Sequence, residues 1–295
     1  MGADVRFPHL GIVIESLGKT IHIGDFTIAY YGVIIAFGMI MGFLLASWQG
    51  TRIGQDKEIF LDLTLWDIVF AIIGARLYYV LFSWDYYSQH PMEILNIRGG
   101  GMAIYGGVIA GVITTFVFAK IRKVSVWQLL DAACGGLLIG QIIGRWGNFF
   151  NREAFGGYTD GLFAMQLKRS QVRAGDITSD ILNHLVTIDG VEYIQVHPTF
   201  LYESLWNLAL LLIILLYTRK RKFEGQLFFM YLFGYGLGRV WIEGLRTDQL
   251  KLFGTPIAVS QLLSGILVVV SGSVLLYQWG KRLKQNKVSP MSKKQ

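Results

Sequence analysis

The stretch GRWGNFFNREAFGG, residues 144–157, places Arg145, Asn148, Asn151, Arg152 and Glu153 at the end of a long apolar run, where lipid would normally forbid them. Charge at the centre of a bilayer costs roughly 2.5–3.5 kcal/mol per residue on insertion scales, so Arg145 calls for an anionic partner, a wet cavity or both. Phosphate answers that need, because a guanidinium fork binds it through charge-assisted, often bidentate hydrogen bonds. Further along the chain, Arg239 and Glu243 stand four apart and share one helical face. Arg76, Glu203 and Arg246 also lie within or beside apolar runs.

The elements that must position these residues follow from composition. Of 295 residues, 53% are hydrophobic and only 16% charged, with mean hydropathy +0.46, 8 Trp and 14 Tyr, a balance that describes an integral membrane protein. Apolar windows long enough to span about 30 Å at about 1.5 Å per residue fall near 28–47, 59–82, 101–119, 127–145, 199–217, 225–243 and 258–278. The expected fold class is therefore an all-α polytopic membrane protein with seven transmembrane helices. The first 27 residues carry Asp4, Arg6, Glu15 and Asp25 and lack a basic start and a small-residue cleavage site, so they read as an outer segment that stays attached rather than a signal peptide. Cys134 stands alone and reads as packing.

Lysine and arginine set the orientation. One set of alternate connections holds Arg52 and Lys57, then Lys120, Arg122 and Lys123, then Arg219, Lys220, Arg221 and Lys222, with six more in the tail, and is assigned to the cytoplasm. The amino terminus is then outside and the carboxyl terminus inside, and the formal charge of +7 reflects topology rather than nucleic-acid binding. With these directions, Tyr30 and Tyr31, Arg76, Tyr105, Arg145, Tyr202 with Glu203, and Arg239 with Glu243 fall into one layer towards the outer face. That convergence predicts a single polar cavity open to outer-leaflet lipid.

The expected organisation is 1–27 outer segment, 28–150 helices one to four, 151–197 a small outer head of β or α/β type, 198–280 helices five to seven, and 281–295 a basic cytoplasmic tail without fixed structure. Within the head, the runs 184–188 and 191–196 flank Asp189-Gly190, the dipeptide suited to a two-residue type I′ hairpin. Glycines repeat at four-residue spacing at Gly107 and Gly111, at Gly136, Gly140 and Gly144, and at Gly234 and Gly238, as close helix packing requires. The run Gly99-Gly100-Gly101 suits a loop pressed against a ligand headgroup. Structural roles stay open for Arg76, as a partner of Glu203, and for Arg239 with Glu243 as an intrahelical pair. His197, before Pro198, reads as a helix-entry residue, and His9, His22, His90 and His184 read as surface histidines. No His cluster or Cys pair has metal-ligand spacing, and neither a metal nor a cofactor is expected.

These motifs together resemble the prolipoprotein diacylglyceryl transferases, a family of bacterial membrane enzymes. The resemblance runs from about residue 30 to 250 and is carried by Tyr31-Gly32, by Arg76 in GARLYYVLF, by GRWGNFFNREAFGG, by HPTFLYE at 197–203 and by GYGLGRVWIEGLR at 234–246. It implies that the thiol of a lipobox cysteine in a prolipoprotein signal peptide attacks a glycerol carbon of phosphatidylglycerol, forming a thioether and releasing glycerol phosphate at the bacterial plasma membrane. Carried over residue by residue, Arg145 grips the lipid phosphate, Asn148 and Asn151 offer amide donors, Glu153 holds the loop, and Gly156 lets backbone approach ligand. Arg239 stabilises the leaving group and Glu243 orients it, while Tyr31, Arg76, Glu203, Tyr235 and Arg246 line the cavity. One departure stands out: many relatives carry histidine in the glycine-rich motif of helix three, where this chain has Tyr105, so the base that activates the thiol is left open between Tyr105 and a carboxylate. A transporter would place its site near the midplane between repeats, and a lipid-docking protein would tolerate loss of Glu243 or Tyr105.

Overall fold

In the computed structural model, residues 2–24, 26–97, 100–252, 255 and 257–288 are described. The main helices are α1 (Tyr30–Arg52), α2 (Lys57–Phe82), α4 (Ile104–Arg122), α5 (Val126–Asn151), α7 (Thr199–Tyr217), α8 (Gln226–Leu245) and α9 (Val259–Val288), with short helices α3 (Trp84–Tyr87) and α6 (Ser179–Asn183). Six of them are long and apolar enough to cross a membrane: α1, α2, α4, α5, α9 and α7 with its 3-10 extension. Rows of exposed side chains such as Phe37, Ile40, Leu44, Ile109, Ile113, Leu212 and Val269 point outward from them, as lipid-facing surfaces do. The remaining expected span is α8, which has 20 residues but carries Arg239, Glu243 and glycines at 234, 236, 238 and 244 in place of bulk apolar residues.

Helix pairing follows the small residues. α5 packs on α1, where a side chain at Gly136 would meet the Gly42 carbonyl oxygen at 2.5 Å, and Gly140 faces Gly38. Gly234 lies against Leu210 and Gly238 against Trp206, whereas Gly111 faces open space. α9 packs along α8 and continues to Val288, so residues 281–288 are helical rather than without structure. The apolar run simply carries its helix onward; residues 289–295 of the expected tail, and Gly99 of the glycine run, lie outside the described residues.

The head is a five-stranded antiparallel sheet in the order β2-β1-β5-β7-β6, built from β1 (Val5–Phe7), β2 (Ile12–Ile14), β5 (Met165–Lys168), β6 (Val186–Ile188) and β7 (Val191–Val196). The Asp189-Gly190 turn has φ of 51° and 76°, both positive as type I′ requires, and joins Ile188 to Val191 in register. One boundary needs correction. The amino-terminal segment is not separate from the head, because Val5 pairs with Leu167 and Arg6 with Gln166, which sets β1 beside β5, the central strand of the sheet. A second hairpin, β3 (Thr20–Ile23) with β4 (Phe26–Ala29), then leads directly into α1. Val5, Met165, Leu167, Ile181, Ile194 and Val196 share one core with Phe149, Phe155 and Phe200 from the ends of α5 and α7, so the sheet is welded to the bundle.

Candidate active site

Three helices deliver charge to one point beneath the head. Glu203, in the second turn of α7, is 3% exposed. Arg145 of α5 places Nη2 at 2.7 Å from its Oε1, and Arg239 of α8 places Nη1 at 3.0 Å from its Oε2. Arg239 Nη2 also lies 2.7 Å from Glu243 Oε2, one turn on, and Arg246 Nη1 approaches the same oxygen at 3.5 Å. A buried carboxylate is tolerated only when paired, and here each buried carboxylate holds two arginines. Proximity is not alignment, however. Glu203 Oε1 and Glu243 Oε2 receive no aligned N–H, because the guanidinium groups present their charge to these oxygens without pointing hydrogens at them.

The arginines divide by what their donors do. Arg145 donates one aligned bond, to Asn148 Oδ1 at 3.3 Å, and Arg239 one, to Glu203 Oε2 at 3.0 Å, each out of five N–H donors. Arg246 is fork-bound to Asp248 at 2.9 and 2.7 Å. Burial works against the charge of Arg246, yet the hydrogen bonds and charge of Asp248 outweigh it and raise the guanidinium pKa. Arg76 is spent on backbone: it donates to the carbonyls of Glu93, Ile94, Gly100 and Gly101 and stacks its guanidinium 5.1 Å over Tyr87. The pairing of Arg76 with Glu203 is therefore not found; Glu203 belongs to Arg145 and Arg239. Gly100 and Gly101, at φ of 89° and 76°, turn their carbonyls onto Arg76; Gly101 is pressed against Arg76 and Tyr79, whereas the side-chain position of Gly100 faces open space.

The end of α5 extends the network. Asn148 and Asn151 both donate to Glu153 Oε1, at 3.0 and 3.3 Å, and Arg173 of the head stands 3.8 Å from Glu153 Oε2. Arg152 and Ala154 both sit at φ 56°, a left-handed conformation that costs free energy and persists only where the surroundings impose it. Here the imposition is visible. Arg152 is 4% exposed and donates to Asp4, to the Leu17 carbonyl and to the Phe150 carbonyl, while Thr199 donates to the Ala154 carbonyl. Gly156 and Gly157 then bond with His197 and Leu245, tying the ends of α5, α7 and α8 together. A side chain at Gly156 would meet the His197 Cβ at 2.8 Å and the Leu245 carbonyl at 3.0 Å, so glycine here lets the ends of α7 and α8 approach this turn closely.

Aromatic residues complete the walls. Tyr31 lies against Gly147, two residues along α5 from Arg145. Tyr235 stacks on Tyr231 at 5.7 Å and stands within electrostatic reach of Glu203, Arg239, Arg145 and Glu243. Tyr105, the second residue of α4, makes no hydrogen bond among the described residues and was not drawn into the carboxylate network. His197 Nδ1 meets the Tyr202 hydroxyl at 3.2 Å, and burial lowers its pKa, as fits a neutral helix-entry residue. Among the described residues, no group of three or more His, Cys, Asp or Glu could hold a metal ion. Sequence reasoning missed Asp248 and Arg173, which lie on polar segments where a charge costs nothing; only the spacing of Asp248 two residues after Arg246 offered a signal.

Comparison with known proteins places this geometry. The sequence model of prolipoprotein diacylglyceryl transferase matches residues 19–277. The chain is 44% identical over 262 residues to the phosphatidylglycerol–prolipoprotein diacylglyceryl transferase of Bacillus cytotoxicus, covering 89% of this chain and 92% of the relative. The proteins of that name from Bacillus cereus strain Q1 and Bacillus mycoides are each 45% identical over the same shares. With both the motifs and most of the length matched, the chain belongs to the prolipoprotein diacylglyceryl transferase family.

Proposed function

We propose that this protein transfers the diacylglyceryl group of phosphatidylglycerol to the lipobox cysteine of prolipoproteins, the first step of lipoprotein maturation. The observation that carries the reading is the pair Arg145 and Arg239, held through one buried carboxylate, Glu203, with most of their donors uncommitted to aligned protein partners. Such a pair suits an anion that arrives, gains charge and leaves.

The cysteine sulfur forms a bond to the glycerol carbon while the bond from that carbon to the phosphate oxygen breaks. The oxygen keeps the electron pair, the thiol proton is lost, and a phosphate monoester departs. A free thiol has pKa about 8.5 and is only a few per cent thiolate at pH 7, so the positive field of the arginines favours the reactive form. As the C–O bond breaks, charge builds on the phosphate, and donors already aimed there stabilise the transition state more than the ground state. Arg145 grips the phosphate, and Arg239, oriented by Glu243, takes the developing charge. Asn148 and Asn151, braced by Glu153, set the edge of the headgroup pocket, and Tyr31, Tyr105 and Tyr235 line it. The Tyr105 hydroxyl, whose side chain makes no hydrogen bond among the described residues, takes up the thiol proton as it passes its own on to solvent. Arg76, Gly156 and Arg246 shape the surrounding frame.

In this reading α8 is the seventh span, the head and amino terminus lie outside the bacterial plasma membrane, and the carboxyl terminus lies in the cytoplasm. Supporting it, the sheet that joins residues 5–7 to 165–167 and the bridge from Gly156 to Arg246 bring the amino-terminal segment, the head and the end of α8 to one end of the bundle. The test is transfer of labelled glycerolipid from phosphatidylglycerol to a synthetic lipobox peptide in detergent. Wild-type protein should form the thioether and Arg145→Ala should lose at least about 10²–10³ in rate, the scale of one removed transition-state donor; near-normal transfer by a folded variant would overturn the assignment.

A further inference from the structure

Beside the arginine cluster, where α5 ends against the head, lies a second polar space. A cavity of about 230 Å3 is lined by Lys19, Asn151, Arg152, Glu153, Gln171 and Arg173. Ligand pockets for drug-sized molecules hold about 300–1,000 Å3, so this space suits a headgroup and excludes a diacylated lipid. A second groove of about 500 Å3, along Leu262, Ile266 and Val269 of α9, is apolar and offers a phosphate nothing.

The lining is divided chemically. Lys19, whose Nζ donates to the Gln171 carbonyl at 3.4 Å, and Arg173, 79% exposed at its side chain, supply cations at the mouth. Two polar atoms of lining residues, the donor Nε of Arg152 and the acceptor Oε1 of Gln171, are shielded from solvent and have no hydrogen-bond partner among the described residues. Buried polar groups are nearly always satisfied, so each orphan calls for an explanation. Neither side chain can swing away to find one. Arg152 is fixed by Asp4 and the Leu17 and Phe150 carbonyls, and Gln171 donates its amide to Asp4 at 2.9 Å. The cations of Lys19 and Arg173, set in one lining with the Glu153 carboxylate and the Asn151 amide, complement a small anion that also carries hydroxyls. Inorganic phosphate would leave the acceptors unused.

The cavity is also joined to the reacting centre. Arg145 donates to Asn148, Asn148 to Glu153, and Glu153 stands between Asn151 and Arg173. We infer that this cavity receives the glycerol phosphate set free by the transfer, drawing it from Arg145 towards Lys19 and Arg173. The inference rests on the reaction proposed above. The departing monoester carries a charge of about −1.5 to −2 at pH 7, more than the single charge of the lipid diester, so a second pair of cations attracts product over substrate. The shared chemistry is a glycerol-phosphate moiety, and the intact lipid headgroup is the competing source.

Titration calorimetry of glycerol phosphate into the purified full chain in detergent, without lipid or peptide, tests binding independently of turnover. Arg173→Ala and Lys19→Ala, both at exposed side chains, should each weaken binding about tenfold, the worth of one charge-assisted hydrogen bond, with matching relief of glycerol phosphate inhibition in the transfer assay and little change in KM for phosphatidylglycerol. Affinity for glycerol phosphate that is unchanged in both variants overturns the inference. So does a raised KM for phosphatidylglycerol with unchanged glycerol phosphate affinity, which gives the cavity to the lipid headgroup. A wild type that binds glycerol phosphate through Arg173 yet transfers nothing supports the cavity and removes only the reaction.

Discussion

The molecule buries carboxylates at both ends of α5 to α8, and the two ends treat them differently. At the end away from the head, Asp131 of α5 is fully buried and accepts three aligned bonds: from Arg221 at 3.0 Å, from the Gly225 amide at 2.9 Å and from the Phe228 amide at 2.9 Å. It therefore caps the first turn of α8 from another helix, satisfying backbone donors that no intrahelical carbonyl reaches. At the head end, the ion-pair partners of Glu203 and Glu243 among the described residues are arginine side chains, and one oxygen of each has no aligned donor among those residues. A carboxylate locked by backbone amides cannot exchange its partners without unfolding a helix end. One surrounded by loosely aligned guanidinium groups holds them in place while leaving them free to turn towards another anion. Burial alone does not separate architecture from site; the alignment of the donors does.

The sharpest way to break this comparison is a crossed pair of substitutions. Arg145→Lys keeps the charge and discards the fork; transfer should fall by about 10² or more, the cost of misplacing a reacting group, with a melting temperature close to wild type. Asp131→Ala leaves Arg221 and two amides without their acceptor, and loss of one partner of a buried pair costs about 3–5 kcal/mol. Its melting temperature should drop steeply while the protein that remains folded keeps a near-normal KM for phosphatidylglycerol. Thermal melts and transfer kinetics on the same preparations decide the matter, and a stable Asp131→Ala protein without activity would erase the distinction.

Glu203→Gln sharpens the same contrast within the cluster at the head end. It preserves shape while removing the counter-ion shared by Arg145 and Arg239. The site becomes more positive, so the anionic lipid should bind no worse, but the two forks lose their common anchor. The expected outcome is a kcat about tenfold to 100-fold lower with an unchanged or lower KM, the signature of an interaction needed in the transition state rather than for ground-state binding. A higher KM with normal kcat would instead make Glu203 a binding group.

What the sequence reveals, and what it withholds, follows the same physics. The long helices are legible because lipid demands about 20 apolar residues without interruption, and the β6–β7 hairpin because Asp189-Gly190 fits a single turn geometry. Arg145 and Arg239 stand out because a charge in an apolar run must have a reason. The place of Val5–Phe7 in the head is not legible: Val5 and Arg6 pair with Leu167 and Gln166 some 160 positions away, a contact that leaves no periodic trace. Nor is the fate of Arg76, since its partners are carbonyl oxygens, which every residue carries and no sequence distinguishes. Glu203 could be seen as buried, but its choice of Arg145 over Arg76 depends on how α5 and α7 cross.

The smallest expected effect concerns the seam between the amino-terminal segment and the head, which the comparison treats as architecture. Burial alone would push the Asp4 carboxyl up, but hydrogen bonds from Lys168, the Leu17 amide and Gln171, with the charge of Lys168, bring it down to about 2. Because the folded pKa lies below the value of 3.8 for a free carboxyl, the stability Asp4 contributes is complete above that value and is lost as the pH falls through about 2. Pepsin cleavage within residues 2–18 should therefore rise between about pH 4 and pH 2 in the wild type. Asp4→Asn, which cannot ionise, should be cleaved readily at pH 4 already and change little on further acidification. Arg152 makes the consequence reach the site, for it shares Asp4 and the Leu17 carbonyl with this seam and carries the left-handed turn that sets Glu153 beside Asn148. At neutral pH, Asp4→Asn should then reduce transfer only a few-fold, far less than Arg145→Lys, because a loosened seam displaces Glu153 without removing a donor from the phosphate.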